Sequence, residues 1–298
     1  MRIPNTATSE ALLGNLQRLT GSQSKLQDQV STGQRFTVAS EDPQAAGRVL
    51  ELQAEKQRLQ QYSRNTDRAL AVSQTTYASV SGLKDISDRA GELAVLGTGA
   101  TSADAKKSYA TELNQLIEQG LQSLNTSYNG EHIFGGTKTD AAPFTATRDA
   151  SGNITGVSYT GDASSAQFRT SEGGKISPYT SGAANQQLGD FLNNLVTLRD
   201  ALKTDDNAAV QSSQASLQAS EDHILTTVSE IGAVQTRLQA NSVENNARFS
   251  ELEKQTSAET DVDLSETVVK LTQAKNSYQA ALQTGAQMLN LSLLDYVR

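Results

Sequence analysis

The sequence predicts a mainly α protein: an elongated antiparallel helical bundle formed by both chain ends, with a small β-rich insert between them. Three observations carry this expectation. Apolar residues recur at three- and four-residue steps through both ends of the 298-residue chain. No leucine occurs between Leu124 and Leu188. That same window holds nine glycines, together with Pro143 and Pro178, which is turn and short-strand chemistry.

In the first helix, Leu12, Leu16, Leu19, Leu26 and Val30 form a narrow seam of the coiled-coil kind, with Gln23 at its one gap. Gly33 ends it. Asp42-Pro43 opens the next helix, because an Asp side chain accepts from the free N–H groups of the first turn and Pro loses no needed donor there. No proline follows until well past Leu96. Val49, Leu52, Leu59, Thr66, Leu70, Tyr77, Val80, Leu83, Ile86, Ala90 and Leu93 supply one face of this stretch. Roughly fifty residues at ~1.5 Å each make a rod of roughly 80 Å, a length typical of bundles and coiled coils. Gly97-Thr98-Gly99 ends the rod, and Ser102 caps a third helix running through Tyr109, Leu113, Leu116, Ile117, Leu121 and Leu124.

Within the insert, the stretches 153–160 and 167–169 read as strands, and Asp149-Ala150-Ser151-Gly152-Asn153 as a hairpin turn. Leu188, Phe191, Leu192, Leu195, Leu198 and Leu202 then form a short amphipathic helix, and Thr204-Asp205-Asp206 a turn. A second long helix spans about 207–257. Its seam is Ile224, Val228, Ile231, Leu238, Phe249 and Leu252, with polar Gln235, Ser242 and Asn245 between them. Polar seam residues cost stability but help fix register. The last helix starts at Asp263-Leu264-Ser265-Glu266, a capping-box pattern, and continues through Val268, Leu271, Tyr278, Leu282 and Leu289.

This order suggests three domains: 1–35 with 260–298 as a terminal coiled-coil assembly domain, 36–128 with 186–259 as a long-helix rod, and 129–185 as a small Gly-rich β domain. The terminal seams are interrupted by Gln23 at one end and by Lys275 and Gly285 at the other. Such seams are built to be buried by more than one neighbour.

Composition removes most other functions. The chain has no Cys and two His, His132 and His223, which excludes disulfide scaffolds and thiolate metal centres. The net charge of −8, with Lys and Arg scattered among acids, argues against nucleic acid. No apolar run reaches the ~18 residues of a membrane span, and the N-terminal stretch lacks the apolar core of a secretory signal. Phosphate loops, nucleophile elbows and zinc-protease motifs are all missing. His132 reads as a polar residue near Phe134, and His223 as part of a solvated helical face. Asp261 with Asp263, and Asp205 with Asp206, read as acids opposing the positive ends of helices rather than as a cation site. No catalytic residue, cofactor or metal is expected.

Four sets of residues resemble a known family. They are Met1-Arg2-Ile3 leading into the first seam, and Ser31-Thr32-Gly33-Gln34-Arg35-Phe36 followed by Ser40-Glu41-Asp42-Pro43. The third is Ile133-Phe134-Gly135-Gly136-Thr137 with Ala142-Pro143-Phe144. The fourth is Asp261-Val262-Asp263-Leu264-Ser265-Glu266 with Tyr278-Gln279-Ala280-Ala281-Leu282 and Ser292-Leu293-Leu294-Asp295-Tyr296. In order and spacing they resemble the hook-associated protein 3 family of bacterial flagella, flagellin-like junction proteins between hook and filament. Flagellin itself shares the terminal architecture and remains the nearest alternative. An unrelated coiled-coil adaptor is the more distant one.

The resemblance implies a structural, extracellular protein of the flagellum with a flagellin-like fold. Its partners would be hook-associated protein 1, flagellin and further copies of itself in a ring-like helical layer. It would be exported unfolded, without a cleaved signal peptide, after a cytoplasmic chaperone had held its C-terminal helix. Leu12, Leu16, Leu19, Leu26, Val30, Leu264, Val268, Leu271, Tyr278, Leu282, Leu289, Leu293 and Leu294 would carry assembly, as terminal helices that order on polymerisation. Neither nucleic-acid binding nor membrane insertion is implied.

Overall fold

The computed structural model describes residues 5–99 and 101–296, with side chains described for 9–99 and 101–287. The elements in order are α1 (Asn5–Thr32), α2 (Pro43–Thr98), α3 (Ala103–Leu124), β1 (Ser127–Tyr128), β2 (Glu131–His132), β3 (Phe144–Arg148), β4 (Ile154–Tyr159), β5 (Phe168–Arg169), β6 (Lys175–Ile176), α4 (Gly182–Lys203), α5 (Asn207–Thr260) and α6 (Leu264–Tyr296). The chain forms two compact units: Met1–Gln57 with Phe249–Arg298, and Arg58–Arg248. The fold is mainly α, and among the described residues its few strands all lie between α3 and α4.

The helices begin where the sequence supplies an acceptor. Asp42 Oδ1 takes the Ala45 N–H at 3.0 Å, and Ser102 Oγ the Ala105 N–H at 3.3 Å. Asp206 Oδ1 takes the N–H groups of Ala208 and Ala209, and Asp263 Oδ1 those of Ser265 and Glu266. The acids at 206 and 263 thus satisfy donors that a helix start leaves free. At α6 half of the capping box is present, since Glu266 turns to Lys270 at 2.8 Å. Asp263→Ala is expected to cost about 1 kcal/mol of α6 stability. Hydrogen exchange at 264–268 checks this, and unchanged exchange would show that packing alone sets the helix start.

In the larger unit, Leu83 and Leu93 of α2, Leu113, Ile117 and Leu124 of α3, and Leu188 and Leu192 of α4 are buried together with Ile133, Phe134, Phe144 and Ile154 of the insert. Gly120 lets α3 and α4 approach closely: a Cβ there would lie 2.6 Å from Leu192 Cδ2. Tyr77 departs from its expected place on the buried face and is 40 % exposed. The inward residues of α2 step through Ser73, Thr76, Val80 and Leu83, which leaves Tyr77 one position off the seam. α4 begins at Gly182, six residues before its first leucine, because small residues and Asn185 dock its first turn against the insert.

The insert consists of three two-stranded antiparallel ribbons, β1–β2, β3–β4 and β5–β6. Asn129 and Gly130, at φ 53° and 84°, make the two-residue turn of β1–β2. In the β3–β4 turn, the Asp149 carboxylate accepts from the N–H groups of Ser151 and Asn153. The Asn153 side chain, joined by these backbone bonds, holds the Asp149 carboxyl below the usual carboxylate range.

Side-chain amides do much of the joining between ribbons and helices. Asn193 of α4 gives its amide to the Val157 carbonyl at 2.9 Å and accepts the Val157 N–H at 2.8 Å. Asn125 does the same for Phe144, at 2.9 and 3.0 Å. Each amide stands in for the missing neighbour strand, so these backbone groups are paired and not left as a sticky edge. Asn185, fully buried, donates to the Phe134 carbonyl at 2.9 Å.

Candidate assembly surface

The smaller unit is built on α1 and α6, which run antiparallel. Gly33–Arg35 meets Thr260–Val262 at one end, and Leu12 meets Gly285 towards the other. Two of the motif segments that carry the resemblance come together here, although more than two hundred residues separate them in sequence. Gly33, at φ 72°, ends α1 in the left-handed region that favours glycine. Its carbonyl then accepts the Val262 N–H at 3.0 Å, and the Arg35 N–H reaches the Thr260 carbonyl at 2.6 Å. A single bridge joins Gln34 to Asp261.

Charges lock this joint. Arg48 forms a two-pronged bond with Glu259 at 2.9 and 2.8 Å, and Arg35 stands 3.6 Å from Glu259 and 3.3 Å from Asp42. The Arg48 hydrogen bond, aided by its charge, holds the Glu259 carboxyl below its ordinary value of 4.5. Hydrogen bonds from Ser257 and then Thr260 do the same for Asp261. A carboxyl depressed in the folded state stabilises above its unfolded pKa and loses that contribution as pH falls through the folded one. The joint is therefore expected to stay closed at neutral pH and to loosen below about pH 4. Hydrogen exchange at 33–36 and 260–263 across that range tests it. Glu259→Gln should show looser exchange already at pH 7 and a weaker acid transition.

Of the residues expected to carry assembly, Leu12, Leu16, Leu19, Leu26 and Val30 lie half-buried on α1, as do Leu271 and Tyr278 on α6. Leu264, Val268 and Leu282 are about half exposed, joined by Leu13 and Val269 beyond the expected set. Leu289, Leu293 and Leu294 lie outside the described side chains. Gly285, read from sequence as an interruption, is a contact: a Cβ there would stand 2.6 Å from Leu12 Cδ2. Beside it Ser9, Leu12, Leu13, Leu16, Leu282, Gly285 and Ala286 line an apolar cavity of about 390 Å³. Two helices alone thus leave apolar area in water, and completing the burial of each such side chain contributes about 1 kcal/mol.

Other groups weighed from sequence sit in plain structural settings. His132 Nδ1 lies 3.0 Å from the Asn125 carbonyl, and His223 is exposed on α5. Asp205 pairs with Lys106, whose side chain is buried and also reaches Asn207. Sequence reasoning missed the Arg35, Arg48 and Glu259 lock, because no helical spacing links residues from opposite chain ends. Among the described residues no three metal-ligating side chains cluster, and no helix is long and apolar enough to cross a membrane.

Comparison with known proteins finds likenesses in both sequence and fold. Residues 3–139 match the model of the bacterial flagellin N-terminal helical region. Flagellar hook-associated protein 3 of Salmonella typhimurium is 29% identical over 306 residues, covering 95% of this chain and 96% of that one. Its Escherichia coli counterpart is also 29% identical, over 94% and 95% of the two chains. The flagellar filament 41 kDa core protein of Borreliella burgdorferi is 32% identical over 112 residues, 37% of this chain and 33% of that one. A flagellar hook-associated protein from Vibrio parahaemolyticus superposes with a TM-score of 0.66 at 18% identity, over 74% of this chain and all of the other. FlgL of Bacillus cereus gives 0.61, also at 18% identity, over 70% and 99%. Over nearly its whole length, this chain is similar to flagellar hook-associated protein 3.

Proposed function

We propose that this chain is a structural subunit of the bacterial flagellum that joins hook to filament, meeting hook-associated protein 1 on one side and flagellin on the other. It is a structural protein, not an enzyme. One observation supports the junction over the filament most directly. The likeness to hook-associated protein 3 takes in both chain ends and the insert, whereas the likeness to a filament core protein stops at 112 residues. Flagellin stays the second reading because the flagellin N-terminal helical region matches residues 3–139.

Assembly would use α1 and α6. Their exposed apolar side chains gain neighbours when copies stack in a ring-like helical layer, and the burial offsets the entropy of ordering chain ends. Before that, the same side chains need cover, which a cytoplasmic chaperone on the C-terminal helix would give during export of the unfolded chain.

Immunogold electron microscopy with antibody against the insert, residues 129–185, tests the location. Label in one band at the hook–filament boundary is the expected result. Label along the whole filament would make the chain a flagellin. No flagellar label, with the epitope shown accessible, would leave only the coiled-coil adaptor.

A further inference from the structure

We propose that the β5–β6 ribbon is a clasp that holds α2 and α5 together where their own seam is too polar to do so. From Thr66 to Thr76 the buried face of α2 includes Thr66, Ser73 and Thr76. The Thr66 and Thr76 hydroxyls bond back to carbonyls of their own helix, and Ser73 Oγ is buried with no partner. These groups give α5 no direct side-chain attraction. Across the seam, Gln235 donates to the Ser73 carbonyl at 3.1 Å, and the apolar side chains are the small Ala69 and Val72 of α2 and Leu238 of α5, with Val234 partly buried beside them.

The ribbon supplies what the seam lacks. Ile176 completes a small cluster with Ala69 and Leu238, and Phe168 packs against it. Three amides from the two helices converge on two adjoining residues of the ribbon. Asn65 of α2 donates to the Arg169 carbonyl at 2.9 Å. Asn241 of α5 donates to Thr170 Oγ1 at 2.9 Å, and buried Asn245 to the Thr170 carbonyl at 3.0 Å. Thr170 is fully buried, so the bond from Asn245 to its carbonyl is shielded from competing water. Arg68 adds its guanidinium, 5.8 Å from the Phe168 ring centre, while pairing with Glu131 at 3.0 Å. The ribbon itself has two residue pairs and could not hold its shape alone. Clasp and helix pair therefore stabilise each other, and closing one is closing the other.

The test is hydrogen–deuterium exchange on the full chain carrying Asn245→Ala together with Asn241→Ala. Exchange is expected to rise about tenfold or more in peptides spanning 62–74, 168–176 and 234–246, since a buried carbonyl loses its donor. Peptides spanning 83–94 and 110–124 should be unchanged. Asn193→Ala, which frees a different ribbon, should leave 62–74 and 234–246 unaffected. If the double variant does not fold, Asn65→Ala alone should raise exchange in the same peptides by a smaller factor. Unchanged exchange at 62–74 and 234–246 would overturn the clasp, and so would an equal rise throughout the unit, which would mean ordinary core packing.

Discussion

Deleting residues 264–298 is expected to abolish assembly while leaving a soluble, helical protein. The described core of the larger unit lies between Ala69 and Leu238, so its melting temperature should stay within about 2 °C of the full chain's, the shift of roughly 1 kcal/mol in a unit of this size. α1 would lose the helix it packs against. Circular dichroism melting with a polymerisation or motility assay separates the two effects. Restored motility from the truncated chain would end the terminal-helix idea. A finer version uses Leu16→Asp with Leu19→Asp. Both side chains are half-buried, so the monomer retains water access to the new charges, whereas a neighbouring copy would seal them. Assembly should fall by more than a hundredfold, with little change in monomer melting. Equal losses in both would assign these leucines to ordinary core packing.

Phe134→Ala should produce the largest loss of stability, about 3–5 kcal/mol. The ring is fully buried, edge-on to Phe144 with centroids 6.5 Å apart. Its carbonyl accepts from both Asn185 and the Tyr159 hydroxyl, at 2.9 and 3.1 Å. The larger unit's melting temperature should drop by roughly 10 °C, at about 2–4 °C per kcal/mol. A loss below about 1 kcal/mol would mean the insert is packed independently of the helices. Ile133 and Phe134 thus tie the insert into the core. Gly136, at φ 69°, sits where a Cβ would meet the Asp162 and Ser164 carbonyls.

Helix ends were legible in sequence because their signals are local. Gly33, Asp42-Pro43, Ser102 and Asp263 each act within one turn. The leucine gap located the insert for a similar reason, since its ribbons fill their core with Ile and Phe instead. The α1 seam was legible as a stripe. Which of its residues and those of α6 stay exposed was not, because exposure depends on where the partner helix lies. Polar Gln235 and Asn245 are visible in the α5 seam from sequence, but their partners, Ser73 and Thr170, are distant in sequence. Asparagine was the least readable residue. It signals turns in a sequence, yet Asn125, Asn185 and Asn193 act here as anchors for particular backbone groups.

Anchoring by amides gives the fold a chemical clock. An asparagine side chain slowly takes up water and releases ammonia, becoming an aspartate of nearly the same shape. At Asn125 and Asn193 that change keeps the acceptor facing an N–H but turns the donor into a negative oxygen facing a carbonyl. Attraction becomes repulsion at an unchanged distance. Where that change occurs, the insert should loosen from its helices without any peptide bond being cut.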